Sequence, residues 1–293
     1  MNYDNTLFET MRFEYLRHLQ LGGERVQVQA GKFRPREEGD LRPRSSQLGL
    51  CPLLAANEAR GAEPTYPELL VENDLDALHR MESGHSAAQS WYETLQWYCN
   101  KQGWIVEFEV PCDDARSIGT IDTLIDTSAS ALIVVDFKRT DKKSLRERAT
   151  NLPPSRHNFL QLADYMFKTA DANPSRDVLG VLQRDYRSYP PFRSFWMVPD
   201  KHWQLIEIIV NNEVVDHVTD IDVTTAIDTA DRYMQGAQIP PYKTPIEHWQ
   251  CASVRKGTGV ARCPYFAHCW PVSNPFEIVD GKIWTEEGEY YEV

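Results

Sequence analysis

No run of apolar residues in this sequence approaches the ~20 needed to span a bilayer. No charged-then-apolar leader is present either, so the expected setting is a reducing cytoplasm, that of a host if the chain is phage-encoded. A reducing setting excludes a disulfide framework, and the six cysteines then read as metal ligands or buried thiols. Internal repeats and low-complexity linkers are also missing. With 293 residues, 42% of them hydrophobic, the chain reads as one domain spanning 1–293. Net positive charge is absent: the formal charge is -12, which rules out a domain-wide basic field and leaves any polyanion to a local patch.

What is present is concentrated between Gly119 and Lys138. Gly119 to Asp126 and the apolar run Ala131 to Phe137 both read as strands, with Thr127 to Ser130 as the turn between them. A hairpin centred near Ala129 sets Asp122 opposite Asp136. Directly opposed residues on antiparallel strands have Cβ atoms roughly 4.5–5.5 Å apart, close enough for two carboxylates to share one cation. Lys138 follows on the same face, because side chains alternate along a strand. Two ionised carboxylates repel unless a cation lies between them, and oxygen ligands suit Mg2+ or Mn2+. A lysine beside them can hold a phosphate or the attacking water. The set is the chemistry of a metal-dependent phosphodiesterase. Leu132 to Val135 form a continuous apolar run, expected of a central strand, and Asp136 ends it. Ordinary surface acids on a strand pair are the bland alternative.

Downstream, Arg156 to Phe167 reads as an amphipathic helix. His157, Gln161 and Tyr165 recur every four residues on one face, where they could contact phosphates or orient water, although a solvated polar face is the default for such a helix.

In this order, Gly119-x-x-Asp122, Asp136-Phe137-Lys138 and Gln161-x-x-x-Tyr165 resemble the PD-(D/E)XK nucleases of the RecB-like branch. The motifs cover roughly residues 80 to 170. The resemblance implies that Asp122, Asp136 and the Phe137 carbonyl hold a metal, that Lys138 is catalytic, and that Gln161 and Tyr165 lie beside the site and the DNA strand. One position departs from the pattern. The branch carries a Gly-x-x-x-His motif on an upstream helix, and here Gly84-His85-Ser86-Ala87-Ala88 places alanine at the histidine. His85 is then either a substitute ligand or a surface histidine, and the resemblance implies a weaker metal site or one that prefers Mn2+.

Cys251, Cys263 and Cys269 cluster near the C-terminus and need a fourth partner. Ser45 to Pro52, containing Cys51, resembles the leading motif of the iron-sulfur subgroup of these nucleases, which includes the CRISPR-associated iron-sulfur exonucleases and the AddB nuclease domain. That likeness implies a [4Fe-4S] cluster on Cys51, Cys251, Cys263 and Cys269, joining the N- and C-terminal segments and stabilising the fold. Four cysteines by themselves suit Zn2+ equally. Eleven residues separate Cys251 from Cys263 where the subgroup has two, so Ala252 to Arg262 is expected to loop out and return. Cys99 and Cys112 read as buried, inert thiols.

The rest of the sequence supports an α/β fold: a central mixed β-sheet flanked by helices, with a PD-(D/E)XK core at about 67–235, cluster-binding segments at about 45–60 and 240–270, and an acidic tail at 271–293. Helix is expected from Pro67 to Asn100 and from Val223 to Met234. Strands are expected at Trp104 to Val110, Val178 to Gln183 and Phe195 to Val198. Local basic patches follow Lys138 (Arg139, Lys142, Lys143, Arg146, Arg148) and precede Cys51 (Arg34, Arg36, Arg42, Arg44), with solvated charge as the default for at least half of them. Of these, Arg139, Lys142 and Lys143, together with His157, are the candidate DNA contacts. The expected function is a Mg2+- or Mn2+-dependent DNA nuclease acting on single strands or free ends, 5′ to 3′ by resemblance. The alternatives are a catalytically weak DNA-binding or assembly subunit, and a structure-specific endonuclease. Recombination, repair and CRISPR spacer acquisition would all use this chemistry, with protein partners to match and no membrane.

Overall fold

The computed structural model describes residues 4, 6–28, 36, 37, 39–64, 75–128, 131–140, 154–186, 192–237, 252–255, 258–261, 263, 265, 277–279, 282–284, 290 and 291. Two compact units emerge. The first comprises Met1–Pro35, Arg44–Leu48 and Arg80–Ile227; the second comprises Arg36–Pro43, Gly49–His79 and Asp228–Val293. Of the segments expected around the cysteines, 49–60 and 240–270 fall in the second, while 45–48 belongs to the first.

The first unit is α/β, built on a seven-stranded mixed sheet in the order β1-β2-β3-β4-β5-β6-β7. Its strands are β1 Ile105–Pro111, β2 Thr120–Asp126, β3 Ala131–Thr140, β4 Asp177–Tyr186, β5 Phe192–Pro199, β6 Leu205–Val210 and β7 Glu213–Thr219. Every neighbouring pair is antiparallel except β3 and β4, which run parallel from Ala131↔Asp177 to Thr140↔Tyr186. A parallel pair needs a crossover. Helix α4, Arg156–Ala172, supplies its helical part.

Alternation along β3 explains its apolar run. Ile133 and Val135 join one core cluster with Phe8 and Met11 of α1 (Leu7–Gln20) and with Trp91 and Leu95 of α3 (Leu75–Gln102). Leu132, Val134 and Asp136, one step out of phase, belong to the opposite face, where Gln161 of α4 reaches Asp136. A strand covered on both faces has no wet side, so its sequence is apolar throughout. Gly180 of β4 lets α4 lie close: a Cβ there would fall against Met166 and Leu162 of the helix and 3.1 Å from the Cβ of Met197. Aromatic side chains fill the α1–α3 side. Phe8 meets Trp91 and Trp196 at ring-centroid distances of 6.1 and 6.0 Å, and Trp91 meets Phe192 edge-on at 5.0 Å.

α4 corrects the expectation of a solvated polar face. Gln161 and Tyr165 are buried along with Phe159, Leu162 and Met166, because the polar side chains face the site and not water. α3 is described from Leu75, so the first residues of the expected helix lie outside the described residues. Helix α1 and strands β6 and β7 were not expected from the sequence.

In the second unit, α2 (Pro52–Ala59) begins at Cys51, with Pro52 at its first position, where the missing N–H is no loss. Cys51, Leu53, Ala55 and Ala56 are buried with Tyr233 and Met234, from the end of α5 (Asp220–Met234). Arg60 donates to the carbonyls of Tyr233 and Met234, capping the C-terminal end of that helix. The segment between Cys251 and Cys263 holds an antiparallel pair, β8 Ala252–Arg255 and β9 Thr258–Ala261. Its outer residues Ala252 and Ala261 pair directly. Farther on, β10 Glu277–Val279, β11 Lys282–Trp284 and β12 Tyr290–Tyr291 form a three-stranded sheet.

Candidate active site

The site forms where β2 and β3 part. Their ladder runs from Asp126↔Leu132 to Thr123↔Val135 and stops there. One step beyond, the Phe137 N–H donates to Asp122 Oδ2 at 2.7 Å, so a side chain replaces the ladder and the strands separate. A cavity of about 570 Å³ opens beside this break, walled by β1–β4, α3, α4 and the segment around Arg44.

Asp136 is fully buried. Its Oδ1 accepts from Lys138 Nζ at 3.0 Å and from Gln161 Nε2 at 3.1 Å. Lys138 Nζ also lies 2.9 Å from Oδ2, yet Oδ2 receives no well-directed hydrogen bond. A buried carboxylate oxygen left in that state is unfavourable unless something else coordinates it. Burial, and then the charge of Asp136, raise the Asp122 carboxyl above the ordinary carboxylate range, with Lys138 opposing. Burial raises Asp136 likewise, again against Lys138. For Lys138, burial acts downward, but Asp136 and Asp122 outweigh it and hold the ammonium above its usual value. Two strained acids against one lysine are a site short of positive charge. That shortage, and an Oδ2 that has an ion pair but no well-directed hydrogen bond, fit a divalent cation held by Asp122, Asp136 and the Phe137 carbonyl.

Gln161 and Tyr165 lie one helical turn apart on α4. Gln161 Nε2 donates to Tyr165 Oη at 3.2 Å as well as to Asp136, which ties the acid to the helix. α4 is anchored in turn by a buried network. Lys168 Nζ lies 2.8 Å from Asp164 Oδ2, and that oxygen also accepts from Ser45 Oγ at 2.6 Å and Ser117 Oγ at 3.0 Å. Lys168 donates besides to the Cys112 carbonyl at 3.2 Å. Gly119 is required by this arrangement: a Cβ there would sit 2.5 Å from Tyr165 Cε1 and 2.7 Å from Ser45 Oγ.

On α3, Gly84, His85 and Ala88 line the cavity, with His85 exposed. Arg139 lines it too and donates to the Ser83 carbonyl at 2.9 Å. Lys142, Lys143, Arg146 and Arg148 lie outside the described residues, as does Arg34. His157 is half-buried and is not among the residues lining the cavity. Arg36 donates to the Asp40 and Arg42 carbonyls and Arg42 pairs with Asp40 at 2.7 Å, so these two arginines brace a local turn.

Three cavity residues escaped sequence reasoning. Glu109 of β1, Tyr92 of α3 and Asp185 of β4 come from strands and helices whose register no local motif announces. Alternation around Val106, Phe108 and Val110 marked Glu109 only as off the apolar face. Burial raises Asp185 to about 6, while the Trp91 indole N–H, at 2.8 Å, and Arg12 oppose the shift.

Of the expected cluster ligands, Cys51 and Cys263 are described, and both are buried. Burial raises the Cys263 thiol to about 11, the Tyr265 backbone opposes the rise, and the charge of Cys51 adds to it. Cys251 and Cys269 lie outside the described residues. Cys99 and Cys112 are buried thiols, each raised by burial to about 12. Among the described residues, no group of three His, Cys, Asp or Glu side chains is placed to hold a metal ion, and no helix is long and apolar enough to cross a membrane.

No family model and no curated protein matches the chain. Among solved structures it is similar to SSO0001, with 16% identity and a TM-score of 0.41 over 84% of this chain and 89% of that one.

Proposed function

We propose that this protein is a divalent-cation-dependent DNA nuclease of the PD-(D/E)XK type. The observation that carries the reading is the fully buried Asp136, whose Oδ2 lacks a directed hydrogen bond beside Asp122 and Lys138. In this reading Asp122, Asp136 and the Phe137 carbonyl hold Mg2+ or Mn2+. The ion, when bound, activates water and neutralises charge on the phosphate. Lys138, kept protonated by the two acids, holds a non-bridging phosphate oxygen and aligns it for attack. Gln161 fixes the Asp136 carboxylate, and Tyr165 fixes Gln161. Arg139 and Arg44, both lining the cavity, are positioned to receive the backbone of a single strand or a free end. With a net charge of -12 and acids in the cavity itself, binding relies on the bound cation and a few local bases and is salt-sensitive.

The cysteines are read as a second metal site, a [4Fe-4S] cluster or Zn2+ on Cys51, Cys251, Cys263 and Cys269. The burial of both Cys51 and Cys263, and the β8–β9 pair that returns the chain between Cys251 and Cys263, support it. The cluster reading places the protein in a reducing, cytoplasmic setting. Ala88 favours a second reading, a subunit that binds DNA and cleaves it weakly.

Anaerobically purified protein, labelled linear and circular DNA, and Mn2+ test these assignments. Wild type is expected to degrade linear DNA, and Lys138→Ala to lose that activity. Equal cleavage by the two proteins would remove Lys138 from the mechanism. Cleavage of circles would make the enzyme an endonuclease. A colourless protein without bound iron would exclude the cluster, leaving zinc to be assayed.

A further inference from the structure

Glu109 lies in the β1–β2 register between the pairs Phe108↔Thr123 and Val110↔Ile121, which sets it opposite Asp122. Its backbone adopts a positive φ of 53°, a conformation that a non-glycine residue keeps only where its surroundings hold it. Tyr92 does the holding. That buried side chain donates its hydroxyl to Glu109 Oε1 at 2.6 Å, and its ring is wedged against Phe108 and Phe137 at centroid distances of 4.7 and 5.7 Å. Glu109 therefore reaches the same cavity as Asp122 and Lys138, half-buried and with one carboxylate oxygen tethered. A third acid is thus held beside two that already repel, around a buried Asp136 oxygen that lacks a directed partner. The arrangement is favourable only if positive charge occupies the space between them.

We propose that Glu109 is a positioning residue of the cation site, accepting a hydrogen bond from a cation-bound water. It is assigned to the water and not to the cation because one of its carboxylate oxygens is already held by the Tyr92 hydroxyl. Tyr92 lies one turn after Ala88 on α3, so the Tyr92–Glu109 pair supplies from β1 the third polar group that α3 itself lacks at position 88. This role rests on the reading of Asp122 and Asp136 as cation ligands.

Mn2+ titration followed by electron paramagnetic resonance and water-proton relaxation tests the role without any nuclease assay. Glu109→Gln is expected to weaken Mn2+ binding about tenfold and to change the relaxation of the bound water, the size of effect typical of groups that orient a metal's ligands. Tyr92→Phe, which keeps the ring in the core, is expected to weaken binding by about threefold. Glu109→Asp, which keeps the charge and shortens the reach, should recover part of the loss. If Asp136→Asn loses Mn2+ while Glu109→Gln and Tyr92→Phe bind as wild type does, the Glu109 role is overturned and the cation site stands. If wild type binds no Mn2+, both fall. Should Glu109→Gln fail to fold, Tyr92→Phe decides alone: unchanged affinity and relaxation overturn the proposal.

Discussion

The two compact units bury their cores by different means. In the first, a seven-stranded sheet is covered by large side chains, among them Trp91, Trp196, Phe8 and Phe159, each almost wholly removed from water. Each such side chain contributes roughly 1.5–3 kcal/mol through burial. In the second, one core cluster among the described residues is Cys51, Leu53, Ala55, Ala56, Tyr233 and Met234, with Leu41, Leu54, Ala59 and Ala237 packed against it. Cys51 and Cys263 are both buried in this unit, and the proposed metal site would add a cross-link there. The lesson is a division of labour. The sheet unit holds strained acids among large apolar side chains, while the described residues of the second unit bury two thiols instead.

The sharpest way to break the comparison is to remove charge from the sheet unit. Asp136→Asn is expected to lower DNA cleavage about 10³-fold while leaving the thermal transition of the sheet intact or raised, since a repelling buried acid becomes neutral. Loss of activity accompanied by unfolding would show that the sheet unit has no reserve after all. Next comes the cysteine unit. Cys51→Ser should release metal, read by elemental analysis, and destabilise this unit by several kcal/mol. A Cys51→Ser protein with wild-type metal content and melting would remove the distinction between the units.

Smaller effects sharpen the picture within the sheet unit. Gly119→Ala pushes a methyl group against Tyr165 and Ser45, and about 1–3 kcal/mol of stability should go with it, together with activity as Tyr165 shifts. Unchanged melting and turnover would mean that α4 moves freely at this contact. The mildest change is Asp185→Asn, which keeps an acceptor for the Trp91 indole. Burial raises the folded pKa of Asp185 from 3.8 to about 6, so the folded state binds this proton more tightly than the unfolded chain. Stability from this group is then fully present below pH 3.8 and is lost as pH rises through about 6. Asparagine should stabilise the protein at pH 7 by about 1–2 kcal/mol, and the gain should vanish near pH 3.5. A gain independent of pH in chemical denaturation would refute the assignment.

Much of the site was legible in the sequence because its parts are local. Asp122, Asp136 and Lys138 are linked by one short turn, and a period of two, read on both arms, is enough to set them together. Gln161 and Tyr165 were legible as a helical pair, but their burial was not, since the same spacing describes any wet helix face. Glu109, Tyr92 and Asp185 were not legible as site residues. Each reaches the cavity through a register between elements distant in sequence, and one acid among 43 Asp and Glu carries no mark of its own. β6 and β7 were overlooked for a related reason: Glu213 to Thr219 mixes exposed valines with charge, as an edge strand can.

By itself, then, the sequence determined the β2–β3 hairpin, the acids and lysine at its mouth, the helix that follows and the expectation that Cys51 acts with distant cysteines. The hairpin, its acids and lysine, and the helix depend on short-range periodicity, which the chain carries in any context, whereas the Cys51 expectation rests on a resemblance. Only the tertiary structure decided that the β2–β3 ladder stops at Thr123↔Val135, that Gln161 turns inward to Asp136, and that Tyr92 holds Glu109 across from Asp122. Those outcomes depend on which helix covers which face of the sheet, and that choice is made by side-chain packing across the whole first unit.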